Sequence, residues 1–215
     1  MFYSFDGIDG CGKSAQARLF ADWLRQRGRE VVACRDPGST RLGEEVRQLL
    51  LDRDDLGISR RAEMLLYMAA RAQLVEEVIK PALAAGKDVV SDRFLLANVV
   101  YQGHAGGLDV PALWQVGRVA TAAMEPDLTF VLDIDTAEAA ARLNRPLDRM
   151  ERQGAEFFAA LRAGYLAEAA RHGERMLVVD AARSIEQIQA EIRQLVSAWE
   201  DEVRQFPLPA SPPVQ

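Results

Sequence analysis

The 215-residue chain predicts an α/β fold, a five-stranded parallel sheet surrounded by helices. Three observations carry that expectation. Five short apolar runs alternate with amphipathic stretches along the chain. The runs are nearly continuous rather than alternating, as strands buried on both faces are. A glycine-rich turn joins the first run to the first amphipathic stretch.

The first strand spans 2–6 (FYSFD), and the turn after it opens a helix over about 14–27. The second strand is 30–34 (EVVAC). Helices follow over about 42–51 and 60–80, the second stopped by Pro81, which lacks an N–H and clashes with the preceding turn. The remaining strands are 88–91 (DVVS), 128–133 (LTFVLD) and 176–180 (MLVVD), and a helix over roughly 184–203 closes the domain. Right-handed crossovers between parallel strands bring all their carboxyl ends to one edge, where ligands bind. Residues 1–205 read as one domain, and 206–215 (FPLPASPPVQ), with four prolines and no charge, as a disordered tail.

Composition narrows the function classes. Hydrophobic residues make up 49% and charged residues 27%, which suits a soluble domain with its own core. Two cysteines are too few for a disulfide scaffold and suit a reducing cytoplasm. No apolar run is long enough to span a membrane, and residues 1–5 lack the basic start of a signal peptide. A net charge of −6 argues against a general nucleic-acid binder. Of 26 basic residues only Lys13, Lys80 and Lys87 are lysine, so a lysine at a motif position stands out.

Lys13 occupies such a position. Gly7, Ile8, Asp9, Gly10, Cys11, Gly12, Lys13 and Ser14 match GxxxxGK(S/T) in full, after a strand and at the start of a helix. Glycines let successive backbone N–H groups point at phosphate oxygens, and the helix N-terminus adds its dipole. Lys13 would reach the β- and γ-phosphates of ATP, and the Ser14 hydroxyl would bind Mg²⁺. Such sites also need an acid at the end of a neighbouring strand. Asp92 and Asp133 compete for that place, and Arg93 directly after Asp92 favours the first, since one turn then offers metal and phosphate ligation.

No guanine-reading NKxD stretch follows a later strand, and a motor ATPase would need more chain, so a small kinase remains. The stretch 142–153 holds Arg142, Arg145 and Arg149 within eight residues and reads as a short arginine-bearing lid. The P-loop has no cation besides Lys13, and phosphoryl transfer between two anions needs more positive charge than one lysine and Mg²⁺ supply.

The P-loop GIDGCGKS, RDPGST at 35–40, LLYMAARAQ at 65–73, DRF at 92–94, NVVYQG at 98–103 and LDRMER at 147–152 fall in the order found in thymidylate kinases, a resemblance covering residues 2–200. The resemblance implies transfer of the γ-phosphate of ATP to dTMP with Mg²⁺, on a five-stranded parallel sheet, usually as a homodimer. It implies that Asp9 contacts the sugar 3′-hydroxyl and phosphate region of dTMP, and that Arg93 binds its phosphate. By the same resemblance Tyr67 stacks on thymine, Arg71 reaches the base, Asn98 bonds its edge, Tyr101 crowds the sugar 2′ position, and Gln102 follows as in bacterial members. Asp36 and Pro37 fall in the turn that resembles the family's EPGGT. Asp36 stands where the family usually has Glu, beside the acceptor phosphate and metal. Ser39 stands for Gly, Ala97 for Ser or Thr and Ala15 for Thr, while Pro146 stiffens the lid. These departures bear on acceptor affinity and lid kinetics and remove no essential charge.

Read without the resemblance, Tyr67 and Arg71 are neighbours on one helix face, an aromatic platform beside a donor. Met64 and Met68, one turn apart, fill core, and Cys11 is structural. His104 and His172 are expected to be exposed, with no carboxylate or metal cluster around either. A phosphate monoester has its second pKa near ~6, so its oxygen attacks without a general base. A deoxynucleoside acceptor would instead need Asp36 or Asp9 as base, and a regulatory module would bind nucleotide without turnover.

Overall fold

In the computed structural model, which describes residues 1–143 and 153–205, strand β1 (Phe2–Gly7) lies in the middle of the sheet. The order is β2 (Val31–Arg35), β3 (Asp88–Asp92), β1, β4 (Leu128–Asp133), β5 (Met176–Asp180), and every pair is parallel. Tyr3 pairs with Val90 on one side and Leu128 on the other, so β1 is enclosed along its length. Each strand ends within a residue of its expected place; β1, β3 and β4 are buried almost throughout, as doubly covered strands are, while the edge strands β2 and β5 are only partly buried.

Helices α1 (Lys13–Gln26) and α9 (Ile185–Gln205) pack on one face. Phe20 and Leu24 of α1 join Tyr3, Phe5 and Phe130, with the Tyr3 and Phe20 rings edge to face at 5.0 Å. Across the sheet, α3 (Arg60–Leu74) sets Met64 and Met68 against Phe2, Val89 and Phe94, so both methionines are core. Between the second and third strands, α2 (Arg41–Asp52) packs on α3.

Pro81 does not stop the helix. A π turn at Val75–Ile79 shifts the hydrogen-bond register, Lys80 N–H bonding to the Val75 carbonyl, and α4 (Lys80–Ala84) continues with Pro81 near its start. The wider turn accommodates a ring and a missing N–H that an unbroken α-helix would not. Sequence periodicity also passed over four helical pieces: α5 (Leu95–Asn98), a π turn at Val99–His104, α6 (Val110–Ala120) and α8 (Ala155–Arg171). Helix α7 (Thr136–Arg142), capped by Asp135, follows β4.

His172 is exposed as expected, but His104 is half-buried, and both face one carboxylate, four residues before His172 but 64 positions from His104. Glu168 of α8, fully buried, lies 2.8 Å from His104 Nε2 and 3.6 Å from His172 Nε2, and accepts from Trp114 Nε1 at 3.0 Å. No described helix is long and apolar enough to cross a membrane. The lid residues Arg145, Pro146 and Arg149 and the 206–215 tail lie outside the described residues.

Candidate active site

The phosphate cradle forms where β1 gives way to α1. Gly7 has φ 141°, and a Cβ there would sit 2.6 Å from the Leu132 carbonyl oxygen; at Gly10 it would sit 2.2 Å from that of Ala139. Only glycine lets the loop curl between those two backbones. Lys13 Nζ donates to the Ile8 carbonyl at 3.2 Å and to Asp9 Oδ1 at 3.0 Å. Residues 9–16 line a cleft of about 1120 Å³, closed on the far side by Arg142 and by Arg183, Ser184, Ile185 and Ile188. Gly7 and Ile8 shape the turn without lining that cleft, since Ile8 is buried and the Gly7 carbonyl accepts from Arg93 at 3.2 Å. Arg142 donates to the Ala181 carbonyl at 2.8 Å. Arg183 was not foreseen; only the pairing of β5 with β4 brings it here.

The two candidate acids have different partners. Asp92 Oδ2 accepts from Ser14 Oγ at 2.5 Å, whereas Asp133 is bound at both oxygens by Arg162, at 2.7 and 2.9 Å. Among the described residues no group of three or more His, Cys, Asp or Glu could hold a metal. The Ser14 hydroxyl and Asp92 carboxylate nevertheless fit Mg²⁺, which takes one or two protein oxygens and completes its shell with water and phosphate.

A second cleft of about 610 Å³ opens beside the first. Asp9, Asp36, Pro37, Tyr67, Arg71, Arg93, Asn98, Tyr101 and Gln102 all line it, together with Ala97, Leu51 and Arg47. Arg47 was missed, because a half-buried arginine on an amphipathic helix reads as surface. It donates to the Pro37 carbonyl at 3.3 Å, and burial with the charges of Arg35 and Arg93 lowers its pKa.

Asp9 stands between the two clefts. It accepts from Lys13, from Arg93 and, at 2.7 Å, from the Tyr101 hydroxyl. Burial works to raise its pKa, but the Arg93 and Lys13 cations outweigh that and hold the carboxyl well below the usual range. Burial likewise opposes the charge on Arg93, and the Asp9 carboxylate overcomes it. Arg93 adopts φ 68°, a strained conformation for a non-glycine residue, held by its N–H on the Phe5 carbonyl at 2.9 Å. Its guanidinium also reaches the hydroxyls of Tyr101 at 3.1 Å and Tyr165 at 3.2 Å.

Arg71 is part of the floor of this cleft beside Tyr67, with most of its donors engaged by neighbouring side chains and backbone. Its Nε donates to Asp36, its Nη1 to Asn98 Oδ1 at 3.0 Å, and its Nη2 to the Phe94 carbonyl at 3.3 Å. The Asp36 carboxylate is therefore taken up by Arg71, not by the Ser14–Asp92 pair. Ser39, with φ 63°, explains why glycine would be easier there; its Oγ accepts from Arg35 N–H and its N–H donates to Glu44, each at 2.9 Å.

A phosphate cradle alone would fit any P-loop NTPase. Here the cradle lysine shares a carboxylate with the arginine of a separate pocket sized for a small molecule. A P-loop after the central strand of such a parallel sheet, with a second pocket beside it, is the fold of the P-loop nucleoside-monophosphate kinases. The family model for thymidylate kinase matches residues 5–192. A thymidylate kinase of Rhodopirellula baltica is 45% identical over 185 residues, 86% of this chain and 75% of that one. One of Symbiobacterium thermophilum is 45% identical over 197 residues, 91% of this chain and 92% of that one. The crystal structure of thymidylate kinase from Ehrlichia chaffeensis superposes with a TM-score of 0.74 at 30% identity, covering 91% of this chain and 98% of that one. The chain belongs to the thymidylate kinase family.

Proposed function

We propose that the protein transfers the γ-phosphate of ATP to dTMP, giving ADP and dTDP. The observation that carries this reading is that Asp9 lines both clefts, so a donor on the P-loop and an acceptor in the second cleft meet at one residue.

ATP takes the cradle, with Lys13 turning from the Ile8 carbonyl and Asp9 to the phosphate oxygens. Arg93 holds the acceptor phosphate, Tyr67 stacks on the base, and Arg71 and Asn98 read its edge. An acceptor phosphate oxygen forms the new P–O bond as the bond to the β-phosphate oxygen breaks. That oxygen is already deprotonated near neutral pH, so no general base is needed. Asp9 fits this economy: the Arg93 and Lys13 cations hold its carboxyl well below the usual range, which makes it a poor base for a deoxynucleoside, while Asp36, raised by burial, is committed through one oxygen to Arg71. When bound at Ser14 and Asp92, Mg²⁺ would neutralise charge on the transferred group. We assign the remaining transition-state charge to Arg145 and Arg149; Arg149→Ala, and to a lesser extent Arg145→Ala, should lower kcat more than it raises KM for ATP.

Two copies pair through the exposed apolar side chains Leu65 of α3 and Val119 of α6, whose helices pack together. Sedimentation would then find a dimer that Val119→Asp dissociates. Free, buried Cys11 and Cys34 accord with a cytoplasmic setting.

The test is acceptor-dependent ADP release with dTMP, dUMP, dCMP, AMP and thymidine. A preference for dTMP is expected. A preference for AMP or thymidine overturns the acceptor assignment, and ATP binding without turnover on any acceptor indicates a regulatory module.

A further inference from the structure

Behind the wall of the acceptor cleft, a chain of side chains runs from a cation to a carboxylate. Arg71 Nη1 donates to Asn98 Oδ1 at 3.0 Å, Asn98 Nδ2 to Gln102 Oε1 at 2.6 Å, and Gln102 Nε2 to Glu63 Oε1 at 2.9 Å. All four residues are buried. Asn98 and Gln102 line the cleft, while Glu63, in the first turn of α3, does not.

The ends of this chain fix its direction. A guanidinium only donates and a carboxylate only accepts, whereas each amide has one donor and one acceptor end. With Arg71 at one end and Glu63 at the other, reversing either amide sets N–H against N–H or oxygen against oxygen. Asn98 thus keeps its oxygen beside the Arg71 donors. An acceptor next to a donor matches the N3–H and C4 carbonyl of thymine and mismatches cytosine, whose N3 accepts and whose C4 amine donates.

We infer that Glu63 is a positioning residue for base selection: by accepting from Gln102 it locks the amide orientations that favour a keto–imide pyrimidine over an amino one. The inference rests on the acceptor reading proposed above. Glutamine at position 63 could donate as well as accept. Gln102 could then turn its nitrogen toward Asn98, whose oxygen would accept from both Arg71 and Gln102 and whose amino group would swing free. The acceptor beside Arg71 would be used up, and the cleft would present only donors to the base edge.

The experiment measures kcat/KM for dTMP and dCMP with the wild type, Glu63→Gln and the exchange Glu63→Gln/Gln102→Glu. Each change keeps side-chain volume, which favours retention of the fold. Glu63→Gln should lower the dTMP-to-dCMP ratio about tenfold through KM for the acceptor, with KM for ATP unchanged. In the exchange, a carboxylate at 102 accepts from both 63 and Asn98, so the Asn98 orientation is fixed again and the ratio recovers. A ratio unchanged in Glu63→Gln overturns the inference. So does a ratio lost in both variants, which would mark a packing role. A wild type that does not prefer dTMP over dCMP overturns the acceptor reading itself, and that is visible in the wild type alone.

Discussion

Ser14 Oγ donates to Asp92 Oδ2, joining the start of α1 to the end of β3 across 78 residues of sequence. A hydroxyl and a carboxylate brought together at the cradle's edge offer two hard oxygens to a cation that phosphates also bind. Asp92→Asn keeps an oxygen for Ser14 and removes the charge. The Mg²⁺ concentration for half-maximal rate should rise about tenfold or more, with KM for dTMP little changed. Superimposable Mg²⁺ titrations would remove Asp92 from that role.

Lys13→Ala removes the cation nearest the cradle. Asp9 retains Arg93 and Tyr101, so the fold should persist while turnover falls by several orders of magnitude. Retention of more than about a tenth of the wild-type rate, a loss of only ~1.4 kcal/mol, would contradict the assignment.

Tyr101 offers two separable contributions. Its ring faces the cleft and its hydroxyl donates to Asp9. Tyr101→Phe should lower kcat on dTMP while keeping the preference over the ribonucleotide. Tyr101→Ala should narrow that preference chiefly by improving the ribonucleotide, whose 2′-hydroxyl no longer meets the ring. Tyr67→Ala should weaken both nucleotides alike. Ratios of kcat/KM for the two sugars across the three variants decide the matter, and an unchanged ratio in Tyr101→Ala would place Tyr101 away from the sugar.

Asp6 governs a pH effect on stability. Burial, only partly offset by the Ser4 hydroxyl at 2.7 Å and by Arg93 and Lys13, pushes its pKa from 3.8 up to about 6. A raised acid binds its proton more tightly in the folded state, so its stabilising contribution is complete below 3.8 and is lost as pH rises through 6. Asp6→Asn does not titrate. Across that window the difference in unfolding free energy should move in the variant's favour by up to about 3 kcal/mol. Urea midpoints at several pH values would test this; a constant difference would refute it.

The sequence made the catalytic edge of the sheet legible and its walls much less so. GIDGCGKS carries its geometry in its spacing, and Arg93 after Asp92 pointed to the acid that the structure brings beside Ser14. The helical pieces between Leu95 and Ala120 were not visible, because β-branched Val99 and Val100 and glycines at 103, 106 and 107 obscure the helical period. Pro81 misled for a related reason, since a π turn upstream absorbs its missing donor. Glu63, Glu168 and Arg183 each gain a partner that folding brings from 39, 64 and 8 positions away. Gln102 and His104 show no local pattern that would announce those carboxylates.

Cys11 fills the space beside Gly7, its thiol pushed up by burial, and Cys34 is buried with its thiol pushed up to about 12. Neither is a thiolate near neutral pH, so alkylating reagents and peroxide should leave both thiols of the folded protein untouched. A cysteine introduced on an exposed turn would then be the sole labelling point on the native chain. A fluorophore attached there would report on nucleotide binding without any need to remove the natural pair.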